Sequence, residues 1–223
     1  MLSIIQVVEA TIAARDPYTA AHQRRVAEVA WNIALEMGLS QDRLQSLLMA
    51  SIIHDLGKIA IPAEILGKPA KLTNIEYSLI KKHPEVAYSI LKPIKFPNQM
   101  SNVILQHHER INGSGYPLGL KGKEILLEAK ILAVADVFEA MTSHRPYRPA
   151  LGIEKANEEL RQNRGIFYDG EVVEACLQIY ENGLEENSVI PGSGICPLPP
   201  VDKNAYSRTV NSPNREFGLQ LLI

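Results

Sequence analysis

Along most of the first 180 positions apolar residues recur at helical spacing, with almost no alternation of period two. Ile5, Val8 and Ile12 share one face of a helix predicted from Leu2 to Arg15. Asp16-Pro17 breaks it, and Pro17 can open the next, because the first helical position has no use for an N–H. That second helix runs to about Met37, with Val26, Val29, Ala30 and Ile33 inward and Gly38 as its stop. Ser40 caps a third, Gln41 to His54, apolar at Leu44, Leu47, Leu48 and Ile52. Ile61-Pro62 and Lys68-Pro69 predict a loop with at most one helical turn. Thr73-Asn74-Ile75-Glu76 is a capping box that opens a helix to about Lys81. His83-Pro84 starts another, Pro84 to Leu91, and Asn98 to His107 follows, apolar at Val103 and Ile104.

Gly113, Gly115, Pro117, Gly119 and Gly122 make residues 110–123 a loop. Leu126 to Ser143 is a strongly apolar helix, expected at the centre. Ile153 to Asn163 and Asp169 to Tyr180 complete the set. No convincing strand and no internal repeat appears. From Asn187 onward Pro191, Pro197, Pro199, Pro200 and Pro213, with Gly192, Gly194 and Gly218, predict a largely unstructured tail. Three parts follow: 1–16, a helix that could end an upstream linker; 17–186, one domain; and the tail, 187–223.

Composition narrows the classes. The chain has 223 residues, 46% hydrophobic and 22% charged, enough for a real core under a soluble surface. A net charge of -2 implies no general polyanion-binding surface, so no DNA partner is expected. The two cysteines, Cys176 and Cys196, lie far from the histidine-rich stretches, which argues against a disulfide framework and a cysteine-based zinc site. A reducing, cytoplasmic setting is the simpler expectation. No apolar run reaches membrane-spanning length, and Met1-Leu2-Ser3-Ile4 does not begin a signal peptide, so no membrane insertion is expected.

The six histidines are unusual in placement rather than number. Ile52-Ile53-His54-Asp55-Leu56-Gly57-Lys58 delivers an imidazole and a carboxylate side by side at a helix end, and both are good ligands for a divalent first-row metal. Adjacent residues diverge on a regular helix, so they share a metal only where the backbone bends, and Gly57 supplies that freedom. His22, His83, His107, His108 and Asp136 complete a candidate set. Taken singly, each has an ordinary reading: His22 a hydrogen-bonded surface residue, His83 the end of a helix. Asp136 is harder to explain, because a carboxylate inside Ile131-Leu132-Ala133-Val134-Ala135-Asp136-Val137-Phe138 is costly to bury without a cation or several donors. One shared metal site accounts for all seven.

His54-Asp55-Leu56-Gly57-Lys58-Ile59, with His107-His108-Glu109-Arg110 and Gly113-Ser114-Gly115-Tyr116-Pro117, resembles the HD-GYP domain, a mostly bacterial branch of the HD phosphohydrolase superfamily. Asp16-Pro17-Tyr18-Thr19 with His22 and Arg25-Val26-Ala27 looks like the family's opening motif. Asp136 to Thr142 with Arg145-Pro146-Tyr147-Arg148 looks like its closing one. The likeness covers roughly Pro17 to Tyr180. It implies an all-α helical bundle with a metal site between helices, and hydrolysis of cyclic di-GMP to linear pGpG, GMP or both. By the same resemblance His22, His54, Asp55 and Asp136 would hold one metal. Asp55 would bridge to a second held by His83, His107 and His108. Two such ions activate a water and clamp phosphoryl oxygens in an in-line displacement. The N and O donors make iron and manganese the natural candidates, with zinc left open.

Asp55 and Lys58 are the expected catalytic groups. Lys58 would face a phosphate as a point charge, the ordinary alternative being a solvated lysine. Arg145 and Arg148 are expected to contact the substrate by resemblance, the alternative being favourable charge at a helix C-terminus. Glu109 is expected to orient a histidine, and His144 to lie on the surface. The Gly113 to Pro117 loop is the expected contact for a signalling partner, and a homodimer is one open oligomeric state. Tyr18 stands where some members have a metal-binding glutamate, so two metals are expected rather than three. Asn112 replaces the usual aspartate of the loop. A non-catalytic nucleotide-sensing or interaction module, and a phosphohydrolase acting on another nucleotide, are the alternatives.

Overall fold

The computed structural model describes residues 2–68, 70–144 and 149–181. Ten α-helices occur among them: α1 (Leu2–Arg15), α2 (Pro17–Glu36), α3 (Gln41–Ile53), α4 (Ala63–Leu66), α5 (Asn74–Ile80), α6 (His83–Leu91), α7 (Met100–Gln106), α8 (Leu127–Thr142), α9 (Ile153–Gln162) and α10 (Gly170–Glu181). Two 3-10 turns, Leu56–Ala60 and Gly122–Glu124, join them. The described residues contain no strand, only isolated bridges at Asn112–Lys121 and Arg164–Tyr168. The all-α expectation holds. None of these helices is long and apolar enough to cross a membrane. The predicted tail 187–223, with Cys196, and Arg145 and Arg148 lie outside the described residues.

The expected central helix is α8. Every residue from Ile131 to Met141 is buried, including Asp136 and Glu139. A helix apolar on all sides can only be satisfied by neighbours on all sides, and α2, α3, α7, α9 and α10 pack around it. Ile5 and Ile12 of α1 enter the same core as Val26, Ile33 and Leu47. Local signals set the ends. Asp16 caps α2 by accepting from the Tyr18 and Thr19 amides. The predicted capping box of α5 forms, with Thr73 accepting from the Glu76 amide at 3.2 Å and the Glu76 carboxylate from the Thr73 amide at 2.7 Å.

The start of α7 departs from the sequence reading. The loop from Ile61 to Lys68 holds a single helical turn, α4, as expected, and the 3-10 turn, Leu56–Ala60, precedes it. Arg15 supports the turn by donating to the carbonyls of Ile59 and Ile61, the latter at 2.8 Å. Helix α7 begins at Met100 rather than Asn98, because Asn98 and Gln99 take left-handed backbone. The Asn98 amide donates to Asp42 O at 3.0 Å and Ser46 Oγ at 2.9 Å, which fastens this corner to α3.

Gly57 is the tightest junction. A Cβ there would press into the His83 carbonyl and lie 2.8 Å from the Ala87 amide nitrogen. Only glycine lets the 3-10 turn rest directly on the start of α6. Gly57→Ala is therefore expected to cost about 3 kcal/mol through overpacking, lowering Tm by roughly 10 °C in a domain of this size. Gly170→Ala, whose Cβ meets Arg164 Nε at an ordinary 3.6 Å, is the control and should leave Tm within roughly 3 °C. Thermal melts of the two variants check this.

Candidate metal centre

Five elements send polar side chains to one buried point. α2 contributes His22 and α8 contributes Asp136. His54 and Asp55 leave the end of α3, His83 opens α6, and His107 and His108 leave the end of α7. All seven are buried. Their donor atoms fall into three overlapping groups, each mutually within 4.8 Å: His22, His54 and Asp136; His54, Asp55 and His107; and His83, His107 and His108. The structure thus brings together every residue read as a ligand. The adjacent pairs converge because both leave a helix C-terminus, where the chain departs from helical geometry.

Hydrogen bonds orient the rings. Nδ1 of His54 lies 2.8 Å from Ser51 O, that of His83 2.8 Å from Ile80 O, and that of His107 2.6 Å from Ile104 O. Each acceptor is the carbonyl three residues back, at a helix end where such carbonyls lack an N–H partner. A carbonyl has no proton to give, so each Nδ1 carries the proton and each Nε2 presents a lone pair. Nε2 of His83 and His107 then face each other at 3.3 Å. Two lone pairs in a dry core repel unless a cation lies between them. His54 Nε2, Asp55 Oδ1 and His108 Nδ1 are buried without a hydrogen-bond partner among the described residues. Orphaned polar atoms of this kind are costly, and nitrogen and carboxylate donors at this spacing fit divalent metals.

Asp55 sits between the groups. Its Oδ2 lies 3.6 Å from His54 Nε2 and its Oδ1 3.4 Å from His83 Nε2. Lys58 Nζ meets Oδ2 at 2.7 Å, so the lysine is ion-paired with Asp55 rather than free in solvent. Burial works to raise the Asp55 carboxyl, yet Lys58 and the surrounding histidines hold it well below the usual carboxylate range. Burial drives His83 down to about 4 and lowers His107 and His108 as well, which keeps these rings neutral and able to bind a metal.

His22 behaves in the opposite way. Burial alone would lower it, but Asp136, 3.1 Å from Nε2, and Glu139, on Nδ1, raise it to about 9. Two carboxylates around one imidazole call for positive charge, which a proton or a metal ion can supply. Glu139 also accepts from Arg25 Nε. The sequence motifs contain Glu139 and Arg25 but do not point to this task. The available signal was a second carboxylate three residues after Asp136, on the same face of the same apolar helix.

The loop brings one correction. Glu109 orients no histidine: its carboxylate accepts from the backbone amides of Leu118 at 2.7 Å, Gly119 at 3.1 Å and Leu120 at 3.0 Å. Those amides otherwise have no partner in so tight a loop, and a buried carboxylate collects them. Gly115 permits the loop to lie on the ligand segment, since a Cβ there would sit 2.5 Å from Glu109 Cα and from His108 O. Tyr116 stacks on the His108 ring at 4.8 Å. Asn112 Oδ1 accepts from Ser114 N at 3.0 Å and Ser114 Oγ at 2.7 Å, a turn that an aspartate would make equally. Tyr18 directs its hydroxyl to the His144 carbonyl at 3.0 Å. His144 is exposed, as expected.

Known proteins resemble this chain in sequence and in fold. The sequence model of the HD domain family matches residues 6–172. The chain is 43% identical over 166 residues to the cyclic di-GMP phosphodiesterase response regulator RpfG of Xanthomonas campestris pv. campestris, covering 74% of this chain and 44% of that protein. It is 39% identical over 181 residues to a cyclic di-GMP phosphodiesterase of Thermotoga maritima, covering 80% and 49%. It is 35% identical over 161 residues to 3'3'-cGAMP-specific phosphodiesterase 1 of Vibrio cholerae, covering 72% and 37%. The chain therefore spans less than half the length of each of these relatives. A solved structure described as Bd1817, a HDG"Y"P protein from Bdellovibrio bacteriovorus, shares the fold, with a TM-score of 0.60 and 22% identity over 73% of this chain and 52% of that one.

The titrations set the stability profile of the metal-stripped protein. His83 moves from 6.5 unfolded to about 4 folded. Between those values the unfolded chain binds a proton that the native one refuses, so stability falls as pH drops, by on the order of 3 kcal/mol for this ring alone. His22 has the opposite sign: its contribution is complete below 6.5 and is lost as pH rises through about 9. Urea midpoints of chelator-treated protein should peak near neutral pH and fall on both sides. The acid side should fall more steeply, because His107 and His108 add to His83 there. A midpoint that rises from pH 6.5 to 5 contradicts this.

Proposed function

The chain belongs to the HD domain family, and from that premise we propose that it is a metal-dependent phosphodiesterase of the HD-GYP type. Its substrate is cyclic di-GMP, cleaved to pGpG, GMP or both in a reducing cytoplasm. The observation that carries this reading is the confrontation of His83 and His107 at 3.3 Å, with one oxygen of Asp55 toward His83 and the other toward His54. His22, His54, Asp55 and Asp136 would hold one ion, and Asp55, His83, His107 and His108 a second. Two divalent ions, iron or manganese by their fit to N and O donors, supply Lewis acidity and an activated water when bound.

The chain's own residues do the rest. The carbonyls of Ser51, Ile80 and Ile104 hold three rings in the tautomer that binds metal. Glu139 holds His22 against Asp136. Lys58, anchored by Asp55, places its ammonium beside the carboxylate between the two groups, where an incoming phosphate would meet it. Burial of every ligand excludes bulk water and strengthens each of these interactions. Arg145 and Arg148, outside the described residues, are substrate-contact candidates by family resemblance alone. The relatives named for cyclic di-GMP support that substrate. The relative named for 3'3'-cGAMP supports a second reading, in which the same site cleaves that mixed dinucleotide.

Anaerobically prepared protein is expected to carry close to two transition metals per chain by elemental analysis. Fewer than one would defeat the dinuclear assignment. Asp55→Ala should abolish hydrolysis and reduce metal content, because it removes the only carboxylate in the cluster that faces both His54 and His83. Normal turnover by that variant would place the site elsewhere. Measuring kcat/KM for cyclic di-GMP and 3'3'-cGAMP on the same sample decides between the two substrates. The expected order favours cyclic di-GMP.

A further inference from the structure

One lysine near the centre lacks the partner its neighbours have. Lys58, Lys68 and Lys82 meet carboxylates at 2.7, 2.8 and 2.9 Å. Lys81, half-buried, has no carboxylate within 4.0 Å among the described residues. Its ammonium instead lies 5.2 Å from the centroid of the Tyr77 ring and 5.9 Å from that of Tyr116. Aromatic faces attract a cation without neutralising it, so the charge remains available to an anion.

The surroundings tie this charge to the metal centre. Tyr116 stacks on His108 with ring centroids 4.8 Å apart, and its ring lies 6.5 Å from His83. The Tyr116 ring therefore neighbours both the ammonium and His108. The Tyr116 hydroxyl is buried without a hydrogen-bond partner among the described residues, a second donor left open on the same wall. The backbone fixes the spacing. Lys81 caps α5, its amide donating to Tyr77 O at 3.0 Å. The preceding carbonyl, Ile80 O, accepts from His83. One turn thus positions both the lysine and a metal-binding histidine.

We propose that Lys81, held between Tyr77 and Tyr116, forms an anion subsite that binds a phosphate oxygen of the dinucleotide. The inference rests on the phosphodiesterase reading above and adds a substrate contact outside the metal-binding residues. An ammonium set on two ring faces beside a metal cluster meets a phosphate as a point charge, with little of the hydration it would have in open solvent.

The test is steady-state hydrolysis of cyclic di-GMP and 3'3'-cGAMP by metal-loaded wild type, Lys81→Gln and Lys81→Arg, with metal content and Tm measured on each sample. Lys81→Gln should raise KM about 10- to 100-fold, the loss of one charge-assisted hydrogen bond, with a much smaller change in kcat. Lys81→Arg should recover most of that loss, and metal content and Tm should follow wild type. Kinetics of Lys81→Gln within twofold of wild type overturn the subsite. So does a loss of activity that tracks a loss of metal or of Tm, which would make Lys81 structural. Wild type that cleaves neither dinucleotide but does hydrolyse bis(p-nitrophenyl) phosphate overturns the substrate reading, and the subsite with it.

Discussion

Two unprotonated imidazole nitrogens facing each other in a dry interior are a local conflict, and the rest of the molecule is arranged to keep them there. His83 and His107 cannot turn away, because each Nδ1 is committed to a backbone carbonyl. They cannot readily protonate, because burial opposes charge on both. A fold carrying this conflict needs stability from other sources, and the apolar packing around α8 supplies it. Stability and chemistry are therefore largely separated: the aliphatic core holds the helices, and five of the seven candidate ligands, His54, Asp55, His83, His107 and His108, lie at helix ends.

That separation uses the weakest part of each helix. The last turn of an α-helix ends in carbonyls with no amide to receive. At α3, α5 and α7 a histidine ring accepts the role of the missing amide. A single hydrogen bond then finishes the helix, selects the tautomer and aims the other ring nitrogen inward. His22 is different, since it comes from within α2, where every carbonyl is already used. It meets Asp136 through Nε2 and Glu139 through Nδ1, both on α8, and these two carboxylates move its proton affinity in the opposite direction from the other rings.

Much of this was legible before any coordinates. The helical period is robust, the Thr73 capping box is a local code, and Asp136 announced itself as a carboxylate in an apolar run. In the sequence, the convergence of the seven residues rests on the improbability of so many separate accidents and on family resemblance, not on geometry. What stayed hidden depends on contacts distant in sequence or on backbone that no side chain advertises. Glu109 collects amides nine to eleven residues away, and only the closed loop shows this. The left-handed Asn98 and Gln99 shorten α7 because Asn98 finds partners on α3, fifty-odd residues earlier. Glu139 looked like one more helix residue until α2 brought His22 and Arg25 beside it.

Gly57 and Gly115 leave almost no clearance between the turn, the loop and the backbones of His83 and His108. The scaffold on that side is close to incompressible, so it cannot spread or contract to suit ions of different radius. Any adjustment must come from rotation of the Asp55 carboxylate and small swings of the rings. A centre built this way would discriminate among ions by how much side-chain distortion each demands, and would return to the same frame when one ion left and another arrived.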